Sequence, residues 1–71
     1  MNIRQLKLIR LYLGMTQVEF AEHIEVAPST VAKIEAGFIA VSDVTRSRVL
    51  RKFDVTAPEF IEFTKRMGGN H

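Results

Sequence analysis

The sequence predicts an all-α domain of five short helices, and three features carry that prediction. Apolar residues recur at steps of three and four, the period of one helix face. Helix-start residues stand at Thr16, Pro28, Ser42 and Thr56. Glycines at 14, 37 and 68–69 stand where an apolar stripe runs out, as left-handed helix stops do.

The first helix spans 2–13, with Ile3, Leu6, Ile9 and Leu13 on its inner face and Gly14 as its stop. Thr16 followed by Glu19 is a capping box: each residue satisfies an amide that the helix start leaves unpaired, so a second helix spans 17–24. Its inner residues are Phe20, Ala21 and Ile24. Pro28 fits a first turn, where its missing amide hydrogen costs nothing, and opens a third helix over 28–36 with Val31 and Ile34 inward. Phe38-Ile39-Ala40-Val41 is too short for a strand with a partner in this chain and is read as a loop. Ser42 caps a fourth helix, 43–53, whose stripe is Val44, Val49, Leu50 and Phe53. Arg46, Arg48, Arg51 and Lys52 form its solvated side. Thr56 with Glu59 repeats the capping-box pattern and starts a fifth helix, 57–66, in which Phe60 and Phe63 pack on Leu8, Leu11 and Tyr12 of the first. Residues 1–67 form one domain and 68–71 a flexible tail.

Composition narrows the function. Seventy-one residues make one domain at most, and 46% apolar with 25% charged residues is the balance of a folded chain. There is no cysteine, and His23 and His71 lack ligand spacing, so neither a metal nor another cofactor is expected. The N-terminal residues lack a signal-peptide core and no apolar run approaches the ~20 residues of a membrane span, so the expectation is a soluble cytoplasmic protein without a membrane partner. Paired acids, a nucleophile with its base and a glycine-rich phosphate loop are all missing from the sequence, which argues against an enzyme and against a small-molecule ligand. Ten Lys and Arg against eight Asp and Glu give a net charge of +2, too little to mark a nucleic-acid partner by itself, and Glu19, Glu22 and Glu25 cluster.

Distribution is more telling. Two short helices joined by a tight turn, with small Ala21 where they cross and Val26, Val31 and Ile34 filling the wedge, meet the steric needs of a helix-turn-helix. The pattern Gly14-Met15-Thr16-Gln17, Phe20-Ala21, Ile24, Val26, Ser29-Thr30-Val31, Ile34-Glu35, Gly37, Val41-Ser42 and Phe53-Asp54-Val55-Thr56 resembles the Cro/C1-type helix-turn-helix family of phage and bacterial repressors. The resemblance runs from about residue 3 to residue 61.

It implies a lambda-repressor-like DNA-binding domain: a sequence-specific regulator, of repressor type, of double-stranded DNA in a bacterial or phage-infected cell, acting as a homodimer at least on DNA. Residue by residue, it implies that Gln17 donates to a phosphate and that Thr16 caps the helix behind it. Ala27, Pro28, Ser29, Thr30, Ala32 and Lys33 then face bases or flanking phosphates, Lys33 being the one long donor for a guanine edge. It also implies a structural ion pair between Arg10 and Glu35.

Two departures stand out. Glu25 occupies the turn position where glycine is usual, at a cost of about 1 kcal/mol for a left-handed backbone. Phe38-Ile39 replace the Lys or Arg expected for phosphate binding after the third helix, which lowers non-specific affinity. Two choices stay open here. Ser29 and Thr30 either contact DNA or merely start their helix. Phe38, Ile39 and Val41 either tuck under the fourth helix or meet a second copy or another protein. The latter supports an alternative function, a protein-interaction module of the same fold with weak or no DNA affinity.

Overall fold

The computed structural model describes residues 1–68, which form α1 (Ile3–Tyr12), α2 (Gln17–Ile24), α3 (Pro28–Glu35), α4 (Asp43–Lys52) and α5 (Pro58–Arg66), with no strand among the described residues. The expected helices differ only at their ends, where Asn2, Leu13, Ala36, Phe53 and Ala57 are caps and not helical residues. Of the tail expected over 68–71, residues 69–71 lie outside the described residues, and the Gly68 carbonyl accepts a hydrogen bond from the Arg4 guanidinium.

One apolar core joins all five helices: Leu6, Leu8 and Ile9 of α1, Phe20, Ala21 and Ile24 of α2, Val31 and Ile34 of α3, Val49 of α4 and Phe60 of α5 are buried together. α2 packs on α3 and α4, while α1 packs on α3 and α5. The α1–α5 contact is aromatic. The Tyr12 ring meets Phe53, Phe60 and Phe63 edge-on at 5.8, 5.4 and 5.2 Å, the geometry that aligns a positive ring edge with a negative face. Leu11 is on the open side of α1 and does not share this contact.

The stripe expected on α4 is corrected. Thr45 and Val49, four residues apart, point inward, while Val44 and Leu50 are exposed. Val44 lies five residues from Val49, about 140° around the helix, so the two cannot share a face. Burying Thr45 strands no polar atom, because its hydroxyl accepts from the Ser42 hydroxyl at 3.1 Å. The second capping box is also corrected. Thr56 gives its amide and its hydroxyl to the Asp54 carboxylate at 2.9 and 2.6 Å, and Pro58 opens α5 behind Ala57, which makes no side-chain cap.

α1, α2 and α3 end in the same motif, with a left-handed residue at Gly14, Glu25 and Gly37. Met15, Val26 and Phe38 each return their amide to a carbonyl five residues back, at Arg10, Ala21 and Lys33. Glu25 holds φ 63° and ψ 46° where its two counterparts are glycines. Glu25→Gly should therefore raise the unfolding free energy by about 0.5–1 kcal/mol, measured by denaturant titration. A Cβ at Gly37 meets no atom within 4 Å, so Gly37→Ala isolates the backbone cost and should lower stability by about 1 kcal/mol in the same titration.

Candidate nucleic-acid interface

The α2–α3 pair is set by one small residue and one wedge. Ala21, Val31 and Ile34 are fully buried where the helices cross, and half-buried Val26 fills the turn. Burying that side of α3 turns the other side out: Ala27, Pro28, Ser29, Ala32 and Lys33 are exposed and Thr30 is half-buried. Ser29 and Thr30 do not cap the helix. The N-cap is Ala27, which makes no side-chain cap bond, so both hydroxyls sit inside the first turn.

At the start of α2, Thr16 Oγ1 accepts from the Glu19 amide at 3.1 Å, and the Glu19 carboxylate accepts from the Thr16 amide at 2.9 Å. Half-buried Gln17 reaches back across the pair, where its Nε2 donates to Glu35 Oε1 at 3.1 Å. Glu35 is gripped by a guanidinium fork: Arg10 Nε donates to Oε2 at 2.7 Å and Nη2 to Oε1 at 2.8 Å. The third arm, Arg10 Nη1, donates to the Met15 carbonyl at 2.9 Å. Side-chain exposure is only 13% for Arg10 and 5% for Glu35, so solvent does little to screen the pair. Burial alone would raise the Glu35 carboxyl, but the hydrogen bonds from Arg10 and Gln17 and the charges of Arg10 and Lys7 outweigh it and hold it below its ordinary value. The hydrogen bond to Glu35 likewise holds Arg10 above its ordinary value, against the effect of burial.

Sequence reasoning missed two of these ties. Arg48 does not belong to a purely solvated face, because its Nη1 donates to the Glu25 carbonyl at 3.0 Å and so pins α4 to the strained turn. Gln17 bonds inside the protein as well as lying at the helix start. Neither leaves a local signal, since the partners are 23 and 18 residues apart.

The loop after α3 divides. Val41 packs against the core, so it does not stand with Phe38 and Ile39 on the open surface. Phe38 is 80% exposed and Ile39 41%. Met15 and Val26, the counterparts of Phe38 in the other two helix-ending motifs, pack on the core. No helix is long and apolar enough to cross a membrane among the described residues.

A family model described as helix-turn-helix matches residues 6–60, a span that runs from Leu6 to Phe60 and holds the Arg10–Glu35 pair and the whole α2–α3 unit. No curated protein and no solved structure matches the chain.

Because the folded pKa of Glu35 is depressed, its contribution to stability is complete above the unfolded value of about 4.3 and is lost as pH falls through the lower folded value. Denaturant titrations between neutral and acid pH should thus show a loss of stability below about pH 4.3 that is smaller in an Arg10→Met, Glu35→Met double variant. Glu35→Ala alone strands the guanidinium and should cost about 3 kcal/mol at neutral pH.

Proposed function

Because the chain belongs to the Cro/C1-type helix-turn-helix family of DNA-binding regulators, we propose that it is a sequence-specific repressor that lays α3 in the major groove of duplex DNA and acts there as a homodimer. One observation carries this reading: core packing turns Pro28, Ser29, Ala32 and Lys33 of α3 outward, on a helix whose end is tied to the start of α2 by the Gln17–Glu35 bond. In a groove, Lys33 reaches the O6 and N7 acceptors of guanine, and the Ala32 methyl packs on a thymine methyl. Ser29 and Thr30 contact bases or phosphates, and Ala27 and Pro28 bring the backbone of the turn against the strand. Gln17 donates to a phosphate at the α2 N-terminus, where Thr16 keeps the helix start ordered.

The homodimer uses Phe38 and Ile39, with Val41 anchoring their loop to the core. Size limits what these two side chains sustain. Together they expose on the order of 200 Å², against about 800 Å² per partner for a stable interface. The duplex therefore brings the copies together, and the contact adds cooperativity between half-sites. The 80% exposure of Phe38 favours a second reading as well, a module of this fold that docks another regulator through the same loop.

Fluorescence anisotropy with labelled duplexes over a range of salt concentrations tests both. Lys33→Ala should weaken binding to the preferred sequence by about 1–3 kcal/mol and relax the requirement at one base pair. Gln17→Ala should weaken preferred and unrelated duplexes alike. Undiminished binding in both variants removes the assigned roles. Phe38→Ser with Ile39→Ser should leave affinity for a single half-site intact and abolish cooperativity on a paired site. Should cooperativity persist in that variant, the loop is not the dimer contact.

A further inference from the structure

We infer that Glu35, clamped by Arg10, is a positioning residue for DNA binding: it fixes the Gln17 side-chain amide so that one of its two hydrogens is aimed at a backbone phosphate. The inference rests on the phosphate role proposed above for Gln17.

An ionised carboxylate only accepts hydrogen bonds, so the end of the Gln17 amide that faces Glu35 is the NH2 end, and the amide cannot flip without losing the 3.1 Å contact. The carboxylate is itself immobile, with Oε2 taking Arg10 Nε at 2.7 Å and Oε1 taking Arg10 Nη2 at 2.8 Å. Arg10 is fixed in turn by the Met15 carbonyl at 2.9 Å, on the segment that leads into α2. Gln17 Nε2 carries two hydrogens, and with one committed to Glu35 the plane of the amide sets the direction of the other. A phosphate is likewise an acceptor only, so the amide bridges two anions with one hydrogen each. The rotamer freedom that a long glutamine would lose on meeting DNA is already lost in the free protein.

Arg10 has a second part in this arrangement. A bare carboxylate one amide away from a phosphate would repel it, and the guanidinium cancels that charge within hydrogen-bond distance. The ion pair thus turns an acidic side chain at the end of α3 into a neutral holder for a donor at the start of α2.

A double-mutant cycle on duplex binding tests this, with the Arg10→Met, Glu35→Met pair made both in the otherwise wild-type chain and in the Gln17→Ala variant. Replacing both charges by unbranched apolar side chains avoids the stranded guanidinium that a single change leaves, and circular dichroism checks the folding of all four proteins. The expected result is a loss of about fivefold in affinity with Gln17 present, the cost of re-ordering one side chain, and no further loss in the Gln17→Ala background. An equal loss in both backgrounds overturns the positioning role while leaving the Gln17 contact standing. Wild-type affinity in Gln17→Ala removes the phosphate contact and the inference together. A second readout needs no DNA. The Gln17 side-chain amide protons, observed by NMR in the free protein, should stand away from the shifts of an unconstrained glutamine in the wild type and move to those shifts in the Met pair, while remaining two signals because the amide C–N bond turns slowly; unchanged shifts count against the inference.

Discussion

Arg10 ties three separate segments of the chain with one side chain. Its fork closes on Glu35 at the end of α3 and its remaining arm holds the Met15 carbonyl between α1 and α2, while Glu35 passes the connection on to Gln17. Apolar packing alone is non-directional, and a core of Leu, Ile, Val and Phe side chains tolerates small rotations of one helix against another. Hydrogen bonds of fixed geometry do not. The network therefore sets the register between α1, the start of α2 and the end of α3, on which the shape of the helix-turn-helix surface depends.

The turn between α2 and α3 is held from the opposite side. Glu25 adopts a conformation that disfavours every residue with a Cβ, and the Arg48 bond to its carbonyl joins that turn to α4. Each end of the α2–α3 unit is thus anchored to a helix outside it, at Arg10 in α1 and at Arg48 in α4. Neither anchor involves the outward residues of α3.

What can be read from the sequence follows from how far each signal reaches along the chain. Thr16 and Glu19 sit one helical turn apart, so spacing alone foretells their reciprocal bonds, whereas the left-handed backbone at Glu25 comes from the family resemblance, in which glycine is usual at that turn position. The pairing of Arg10 with Glu35 comes from family resemblance and not from periodicity, since 25 residues separate the partners. The Gln17–Glu35 and Arg48–Glu25 bonds depend on helix packing that spacing does not report. Composition misleads on α4, where Val44 outranks Thr45 in hydrophobicity but angular position buries Thr45 beside Val49. It misleads again at Thr56, where a nearer acceptor at Asp54 captures the hydroxyl that the capping pattern requires.

The outward side of α3 bears on how such a protein changes over generations. Pro28, Ser29, Ala32 and Lys33 are exposed, and the core and ion-pair network are built from other residues. Substitutions at exposed positions away from such features shift stability by only about 0.5 kcal/mol. Ser29, Ala32 and Lys33 are therefore free to drift without endangering folding, whereas Val31 and Ile34, interleaved with them on the same two turns, are not. Heritable variation in this helix is channelled onto its outer side, so descendants of the chain can acquire a new outer surface while inheriting the old architecture intact.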